Sequence, residues 1–306
     1  MEKSIYKIAI VLPVYNRRET TLQALRSLSR IDAVGLTLQI YVVDDASTDG
    51  TAEAVINQFP EVVLIKGTGS LHYAAGTNRG ITEAMKWKPD YIVTANDDSI
   101  FAPDFLQSMV LAARSNHRSI VGALLLLWNK PHIVFQVGQY WKTLASGWVF
   151  PDNLSAFTVP AETFPVECIV GNCVLFPAEA ILENGLLDEK NFQYGWGDAQ
   201  YLMRMRAAGW RLLIDPRARV WCEPNTYPRP LHSASISDTL RTLFIDRKHP
   251  LNLHRQFKAR WHSAPSRPKA VIAFIIYLII IAFKGVKYSL LRFFRFRRDY
   301  AIWMIL

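Results

Sequence analysis

Two adjacent carboxylates, Asp97 and Asp98, follow the β-rich run Tyr91-Ile92-Val93-Thr94 and precede a new segment, Ile100-Phe101-Ala102-Pro103. Like charges side by side at the end of a strand repel. A cation set between them and an anionic ligand relieves that repulsion. Mg²⁺ and Mn²⁺ take carboxylate oxygens and share them with phosphates, so a divalent ion holding a diphosphate is the natural chemistry. The plain alternative is an Asp-rich turn, with Asp104 capping the helix that follows. A second pair, Asp44-Asp45, ends another apolar run and leads into Ala46-Ser47-Thr48-Asp49-Gly50-Thr51. A single carboxylate, Asp198, follows the glycine-bracketed Trp196 and opens a helical pattern, where an Asp also serves as a plain cap.

Hydropathy gives the elements that must position these groups. Residues 5–12 are apolar and β-branched apart from Lys7, which predicts a buried parallel strand. Residues 13–18 form a loop at its carboxyl edge, and residues 19–29 are helical. Residues 38–43 are a second strand ending in Asp44-Asp45, and a helix begins near Thr51. Residues 62–66, 74–87 and 91–95 read as strand, helix and strand. This alternation predicts an α/β fold with an open, mostly parallel sheet flanked by helices. Ligands of such sheets sit beyond the carboxyl ends of the strands. Tyr15-Asn16, Asp44-Asp45 and Asp97-Asp98 all fall at those ends. A dinucleotide-binding turn would need G-x-G-x-x-G after the first strand. Pro13-Val14-Tyr15-Asn16 stands there instead, and a P-loop is absent too.

Composition sets bounds. The chain has 306 residues, 50% of them hydrophobic, and a formal charge of +9. The positive excess crowds the C-terminal end, where Arg292, Arg295, Arg297 and Arg298 follow Lys284 and Lys287. Such a patch suits an anionic surface, lipid or nucleic acid, and no nucleic-acid module accompanies it. The three cysteines, Cys168, Cys173 and Cys222, match no zinc or redox spacing. Met1-Glu2-Lys3-Ser4 runs straight into a strand, so the expectation is no secretory signal and a reducing cytoplasm.

Ala9-Ile10-Val11-Leu12-Pro13-Val14-Tyr15-Asn16-Arg17, then Val43-Asp44-Asp45-Ala46-Ser47-Thr48-Asp49-Gly50-Thr51, then Asn96-Asp97-Asp98 together resemble a family 2 glycosyltransferase. The resemblance covers about residues 5–225 and implies the GT-A fold. It implies that Pro13, Tyr15 and Asp45 hold a nucleotide base, with Asp44 as a ribose or structural partner. Asp97 would meet the ribose or a metal-bound water, and Asp98 the metal, Mn²⁺ or Mg²⁺. Gly76-Thr77-Asn78-Arg79-Gly80 resembles the family's Ala-Arg-Asn-x-Gly, with Thr77 in place of Arg and Asn78 retained as a nucleotide-binding residue. Leu71-His72-Tyr73 resembles a rhamnosyltransferase-like branch, which points to a UDP- or dTDP-linked sugar.

In the second half, residues 105–113 continue a helix, and residues 119–128 form a long apolar strand. Residues 133–138 and 148–150 are sheet edges or acceptor loops. Gly171-Asn172-Cys173-Val174-Leu175-Phe176 resembles a family strand, with Cys173 as a small packing residue. Gly197-Asp198 stands where the family has Glu-Asp, which implies that Asp198 is the catalytic base of a single, inverting displacement. Trp196 and Gly197 would then face the acceptor, Trp196 stacking on a sugar ring. Leu202, Met203, Met205 and Ala208 would be the apolar stripe of that helix. Residues 210–215 are a strand. Cys222 stands near where relatives place a metal-binding His, and His232 is a candidate substitute.

The catalytic domain is expected over residues 1–228, with a helical region over 229–306. Residues 270–283 are apolar except for the Tyr277 hydroxyl. At ~1.5 Å per residue they reach roughly 21 Å, short of a ~30 Å hydrocarbon core, and both flanks are basic. The sequence therefore predicts a monotopic anchor over about residues 269–298 on an anionic membrane surface, at the cytoplasmic face of the inner membrane. A true span is the alternative. The functional expectation is transfer of a sugar from a nucleotide-diphospho-sugar donor to a glycan or lipid-linked acceptor. A polyprenyl-phosphate glycosyltransferase and a catalytically silent glycan- or lipid-binding scaffold are the competing readings.

Overall fold

The computed structural model describes residues 6–144, 147–149, 154–193, 195–223, 235–247, 249–264 and 266–303. Two compact units emerge, Met1–Tyr140 with Trp148–Pro224, and Trp141–Gly147 with Asn225–Leu306. In chain order the elements up to Cys222 are β1 (Tyr6–Val14), α1 (Arg18–Leu28), β2 (Leu36–Asp44), α2 (Thr51–Gln58), β3 (Val63–Lys66), α3 (His72–Lys86), β4 (Tyr91–Ala95), β5 (Ser99–Phe101), α4 (Phe105–Ser115), β6 (Ser119–Leu127), β7 (Lys130–Gln136), β8 (Tyr140–Thr143), β9 (Gly147–Val149), β10 (Phe164–Pro165), β11 (Cys173–Pro177), α5 (Ala178–Asn184), α6 (Gly197–Ala207) and β12 (Arg211–Cys222).

One large sheet organises the first unit, with strand order β10-β12-β6-β11-β4-β1-β2-β3, β5 beside β12 and β7 beside β6. β1 pairs in parallel with both β2 and β4, and β2 in parallel with β3. Their apolar character follows from burial on both faces: Ile8, Ala9, Ile10, Val11 and Leu12 are fully buried. The chain leaves β1 in one direction to build β2 and β3, then returns to its other side for β4. The carboxyl ends of β1 and β4 therefore flank the point where the winding reverses, where open α/β sheets form their ligand crevice.

Past β4 the sheet departs from the simple alternation. β11 runs antiparallel between β4 and β6, and the three-residue β5 runs antiparallel to β12 directly after the Asp pair. β12 extends beyond the expected strand at residues 210–215, continuing through Pro216 to Cys222 with its register shifting between Asp215 and Arg219. A bulge of this kind lets a proline sit within a strand. Asp215 is fully buried there and accepts from Arg217 Nε at 2.9 Å.

In the second unit, α7 (Ile236–Leu240) runs into a π-helical turn (Arg241–Ile245), followed by α8 (Leu253–Ser263) and the 37-residue α9 (Arg267–Trp303). Asn252 caps α8, its side chain accepting from the Arg255 N–H. α8 and α9 pack through aromatics, with Phe257 edge-on to Phe274 at 5.1 Å and Arg260 over the Tyr277 ring at 4.3 Å. Ala270 and Ala273 of α9 are buried, whereas Val271, Ile272, Ile275, Ile279 and Phe283 are exposed.

Candidate active site

The crevice begins with two loops laced together. After β1, Asn16 adopts a left-handed conformation at φ 51°, donates from its backbone N–H to Ser47 Oγ at 2.8 Å and accepts from the Thr48 N–H at 2.7 Å. The Arg18 N–H donates to Asp49 at 2.9 Å. A left-handed Asn is tolerated because its short amide bonds locally. In the same loop Pro13 is half-buried and Tyr15 is 54% exposed.

Asp44 and Asp45 differ sharply. Both are buried. Asp45 accepts from four backbone N–H groups, of Thr68 and Gly69 through Oδ1 and of Leu71 and His72 through Oδ2. Its lone pairs are filled by the loop before α3, so a direct bond to a base would displace one of those amides. Asp44 accepts only from the Ser47 N–H at 3.2 Å, and its Oδ1 is buried without a partner.

At the end of β4 the sequence's demand for a cation is met by a side chain. Arg17 Nη1 donates to Asp98 Oδ2 at 2.7 Å and to Asp97 Oδ1 at 3.1 Å, and Nη2 lies 4.0 Å from Glu223. Thr21 of α1 donates to Asp97 Oδ2 at 3.4 Å. Burial pushes the Asp97 carboxyl up to about 6, against the pull of Arg17 and with the repulsion of Asp98. Burial works against the Arg17 charge, but the Asp98 bond and both carboxylates hold the guanidinium protonated more firmly than usual. Asp98 keeps its Oδ1 buried and unpartnered. Asp104 makes no side-chain cap to α4.

That orphaned oxygen tests the fit of a divalent ion. Three carboxylates, Asp97, Asp98 and Glu223, face one guanidinium, which leaves two negative charges over when all are ionised. Among the described residues no group of three or more His, Cys, Asp and Glu gathers as a self-contained metal cage. The residues fit an ion held by Asp98 and completed by phosphate oxygens and water, the usual habit of Mg²⁺. Cys222 is fully buried against Ser99 and Asn172, and burial, with the Asp98 charge, pushes its thiol up to about 12. His232 lies outside the described residues.

The antiparallel course of β11 brings Asp198 to the same end of the sheet. Cys173 pairs with Ala95, and the next link is Asn96 N–H to the Asn172 carbonyl at 2.9 Å. One residue earlier, the Gly171 N–H donates to Asp198 Oδ2 at 2.9 Å. A Cβ on Gly171 would fall 2.5 Å from that carboxylate, so only glycine permits this approach. Tyr73 of α3 donates to the Gly171 carbonyl at 3.1 Å, and burial and the Asp198 charge push its phenol well above the usual range. Trp196, ahead of α6, is left-handed at φ 66°, a strained conformation for a bulky residue and one that sites often retain. Gly197 is buried, and a Cβ there would lie 3.3 Å from the Phe192 carbonyl, a tight contact at the position where the resemblance has Glu.

Two expected nucleotide contacts are engaged within the protein, and one expected stripe needs correction. Asn78 Nδ2 donates to the Leu187 carbonyl and to Glu189, and its Oδ1 accepts from the Leu187 N–H, so its buried amide ties α3 to residues 187–189. Asp97 has both oxygens engaged, by Arg17 and Thr21. In α6, Ala208 is exposed, and Ala199 and Tyr201 join Leu202 and Met205 in the buried stripe. Arg17 is the crevice residue that sequence reasoning passed over. Its signal was present, a cation in the first loop facing an unexplained pair of acids. Cys173 is buried with its thiol pushed well up by burial, as befits packing.

Residues 9–131 match the glycosyl transferase family 2 domain. The N-acetylglucosaminyl-diphospho-decaprenol L-rhamnosyltransferase of Mycobacterium tuberculosis is 27% identical over 205 residues, covering 60% of this chain and 66% of that protein. Among solved structures, GalNAc-T7 with UDP, GalNAc and Mn²⁺ superposes with a TM-score of 0.62 at 14% identity, over 89% of this chain and 55% of that one. The mannosyltransferase PcManGT of Pyrobaculum calidifontis, with GDP-Man and Mn²⁺, gives 0.52 at 16% identity, over 94% and 81%. The fold is thus GT-A, and the segment from β1 to the start of β7 is similar to the glycosyl transferase family 2 domain.

Proposed function

We propose that this protein is an inverting, metal-dependent glycosyltransferase that moves a sugar from a UDP- or dTDP-linked donor to a hydroxyl of a lipid-linked or cell-surface glycan. The observation that carries the reading is the meeting of two separate carboxylate sites at one sheet end, Asp98 beside the winding reversal and Asp198 across the Asn96–Asn172 and Gly171 links. The first suits a nucleoside diphosphate and its cation, the second a proton acceptor for the attacking group. The mycobacterial relative, named for a rhamnosyl transfer to a lipid-linked sugar, supports a similar acceptor here.

The chemistry follows from the residues. Tyr15 and Pro13 offer a face for the base, and Asp44, with one free oxygen, a partner for a ribose hydroxyl. Asp198 takes the proton of the acceptor hydroxyl while that oxygen bonds to the anomeric carbon. The bond from that carbon to the diphosphate breaks in the same step, and the nucleoside diphosphate departs with the electron pair. A single displacement without a covalent intermediate inverts the anomeric centre. A divalent ion on Asp98 would supply Lewis-acid stabilisation of the charge on the departing diphosphate.

The second unit supports attachment to a membrane, which we place at the cytoplasmic face. Arg267–Gly285 is a 19-residue stretch of mean hydropathy 1.9, long and apolar enough to cross a membrane, and its exposed stripe from Val271 to Phe283 also suits a helix lying in an interface. The basic cluster at residues 292–298 has side chains outside the described set.

Calorimetry with UDP, dTDP and GDP, each with and without Mn²⁺, tests the donor site. Tight binding of one diphosphate that needs Mn²⁺ and is lost in Asp98→Ala is the expected result. Folded protein that binds none of the three would overturn the reading. Given a donor, Asp198→Asn should lower kcat by 10²-fold or more. Full activity in that variant would mean a nucleophile that needs no base, such as a lipid phosphate.

A further inference from the structure

We propose that Arg17 is an exchangeable counter-ion: it neutralises Asp98 in the empty site and transfers to the donor diphosphate when a divalent ion takes Asp98. This inference rests on the donor-site reading above and adds to it a residue with a double role.

Three observations carry it. First, Arg17 bridges the two acids whose adjacency the sequence leaves unexplained, at 2.7 Å and 3.1 Å. A guanidinium between carboxylates is the charge arrangement that an ion would otherwise provide. Second, the bridge is incomplete. Arg17 engages one oxygen of Asp98 and leaves the other buried without a partner, so the carboxylate keeps an unused acceptor that a guanidinium alone does not satisfy. Third, Arg17 is not locked in. Its side chain is 44% exposed, whereas those of Asp97 and Asp98 are 8% and 15% exposed. It springs from the loop just ahead of α1, and its second arm reaches only to Glu223, at 4.0 Å.

The exchange follows from electrostatics. A divalent ion on the bare Asp98 oxygen draws down the charge that holds Arg17, and adds positive charge beside it. The guanidinium then gains by moving to the nearest fresh anion, the donor diphosphate. Its planar fork matches two phosphate oxygens better than a point charge does. In the new position it opposes the charge that grows on the leaving group as the glycosidic carbon separates. Metal and nucleotide thereby help each other to bind, because each frees or attracts the group the other displaces.

The test uses the full-length protein and binding alone. Mn²⁺ binding is read from the free-ion electron-spin-resonance signal, and inorganic pyrophosphate, UDP and dTDP binding by calorimetry in saturating Mn²⁺. In Arg17→Met, Mn²⁺ alone should bind at least tenfold more tightly than to wild type, because the competing charge is gone. Diphosphate affinity in Mn²⁺ should fall at least tenfold. Arg17→Lys, which keeps the charge without the fork, should restore weak Mn²⁺ binding and recover diphosphate affinity only in part. If Arg17→Met is folded by circular dichroism and both affinities stay at wild-type values, Arg17 is a fixed clamp and the proposal falls. If Arg17→Met is unfolded, the lysine variant decides: diphosphate binding equal to wild type overturns the proposal, and a partial loss supports it. Wild-type protein that binds neither Mn²⁺ nor any diphosphate would sink the donor-site reading itself, an outcome distinct from a wild type that binds both and a variant that changes neither.

Discussion

At the scale of single residues, the site is a study in how one functional group is spent. Asp45 and Asn78 occupy positions that the family resemblance marks for a nucleotide, yet the first is saturated by backbone N–H groups and the second by residues 187–189. Asp44 and Asp98 each retain one bare, buried oxygen, and those are the oxygens the proposed function puts to use. Asp97 adds a pH signature. Burial pushes its carboxyl up to about 6, above its value in an unfolded chain. The folded state therefore holds its proton more tightly, so the stabilisation is complete below about pH 4 and is lost as pH rises through about 6. In EDTA, the denaturation midpoint of Asp97→Asn should depend less on pH across that window than wild type, the difference amounting to roughly 2–3 kcal/mol. Parallel curves for the two proteins would remove the elevated carboxyl.

At the scale of elements, the first half of the fold was legible because its physics is local. A strand covered on both faces must be apolar throughout, so β1, β2 and β4 announce themselves, and the acids that end β2 and β4 mark the open edge of the sheet. The later elements were harder for definite reasons. The run Cys173–Pro177 is equally apolar whether it lies parallel or antiparallel, since direction is chosen by partners rather than by composition. β5 is too short to show a period, and Pro216 disguised the continuation of β12. Arg17 was hidden by its neighbours, because Asn16-Arg17-Arg18 reads as an ordinary polar loop until the fold brings residues 97 and 98 against it. The junction of β11 with α6 yields a prediction of its own. Gly171→Ala forces a Cβ against Asp198 at 2.5 Å, so either the strand or the carboxylate must shift. We expect kcat to fall on the order of a hundredfold with donor KM unchanged, at a stability cost of about 1–3 kcal/mol. Wild-type kcat in this variant would place Asp198 outside the chemistry.

At the scale of the whole molecule, the chain combines a sheet with a crevice and a helical unit whose α9 presents an apolar stripe. A bilayer rewards that stripe by about 0.8 kcal/mol for each methylene it buries. Ile275→Asp with Ile279→Asp should therefore cut co-flotation with vesicles of phosphatidylglycerol and phosphatidylethanolamine at least tenfold, with nucleotide binding unaltered. Unchanged flotation would show that the stripe is not what meets the lipid.

The reversed course of β11 has a further consequence, for how such a protein diversifies. Every group proposed for the donor lies at or before Asp98, on loops that leave their strands. Asp198 is instead gripped from Gly171, ahead of a strand that enters the sheet. The two halves of the crevice thus descend from separate stretches of gene. On the proposed assignment, drift or recombination across residues 171–198 would exchange one acceptor for another while the nucleotide grip is inherited intact. A chimaera joined between β6 and β11 should keep the donor preference of its front half and take the acceptor preference of its back half.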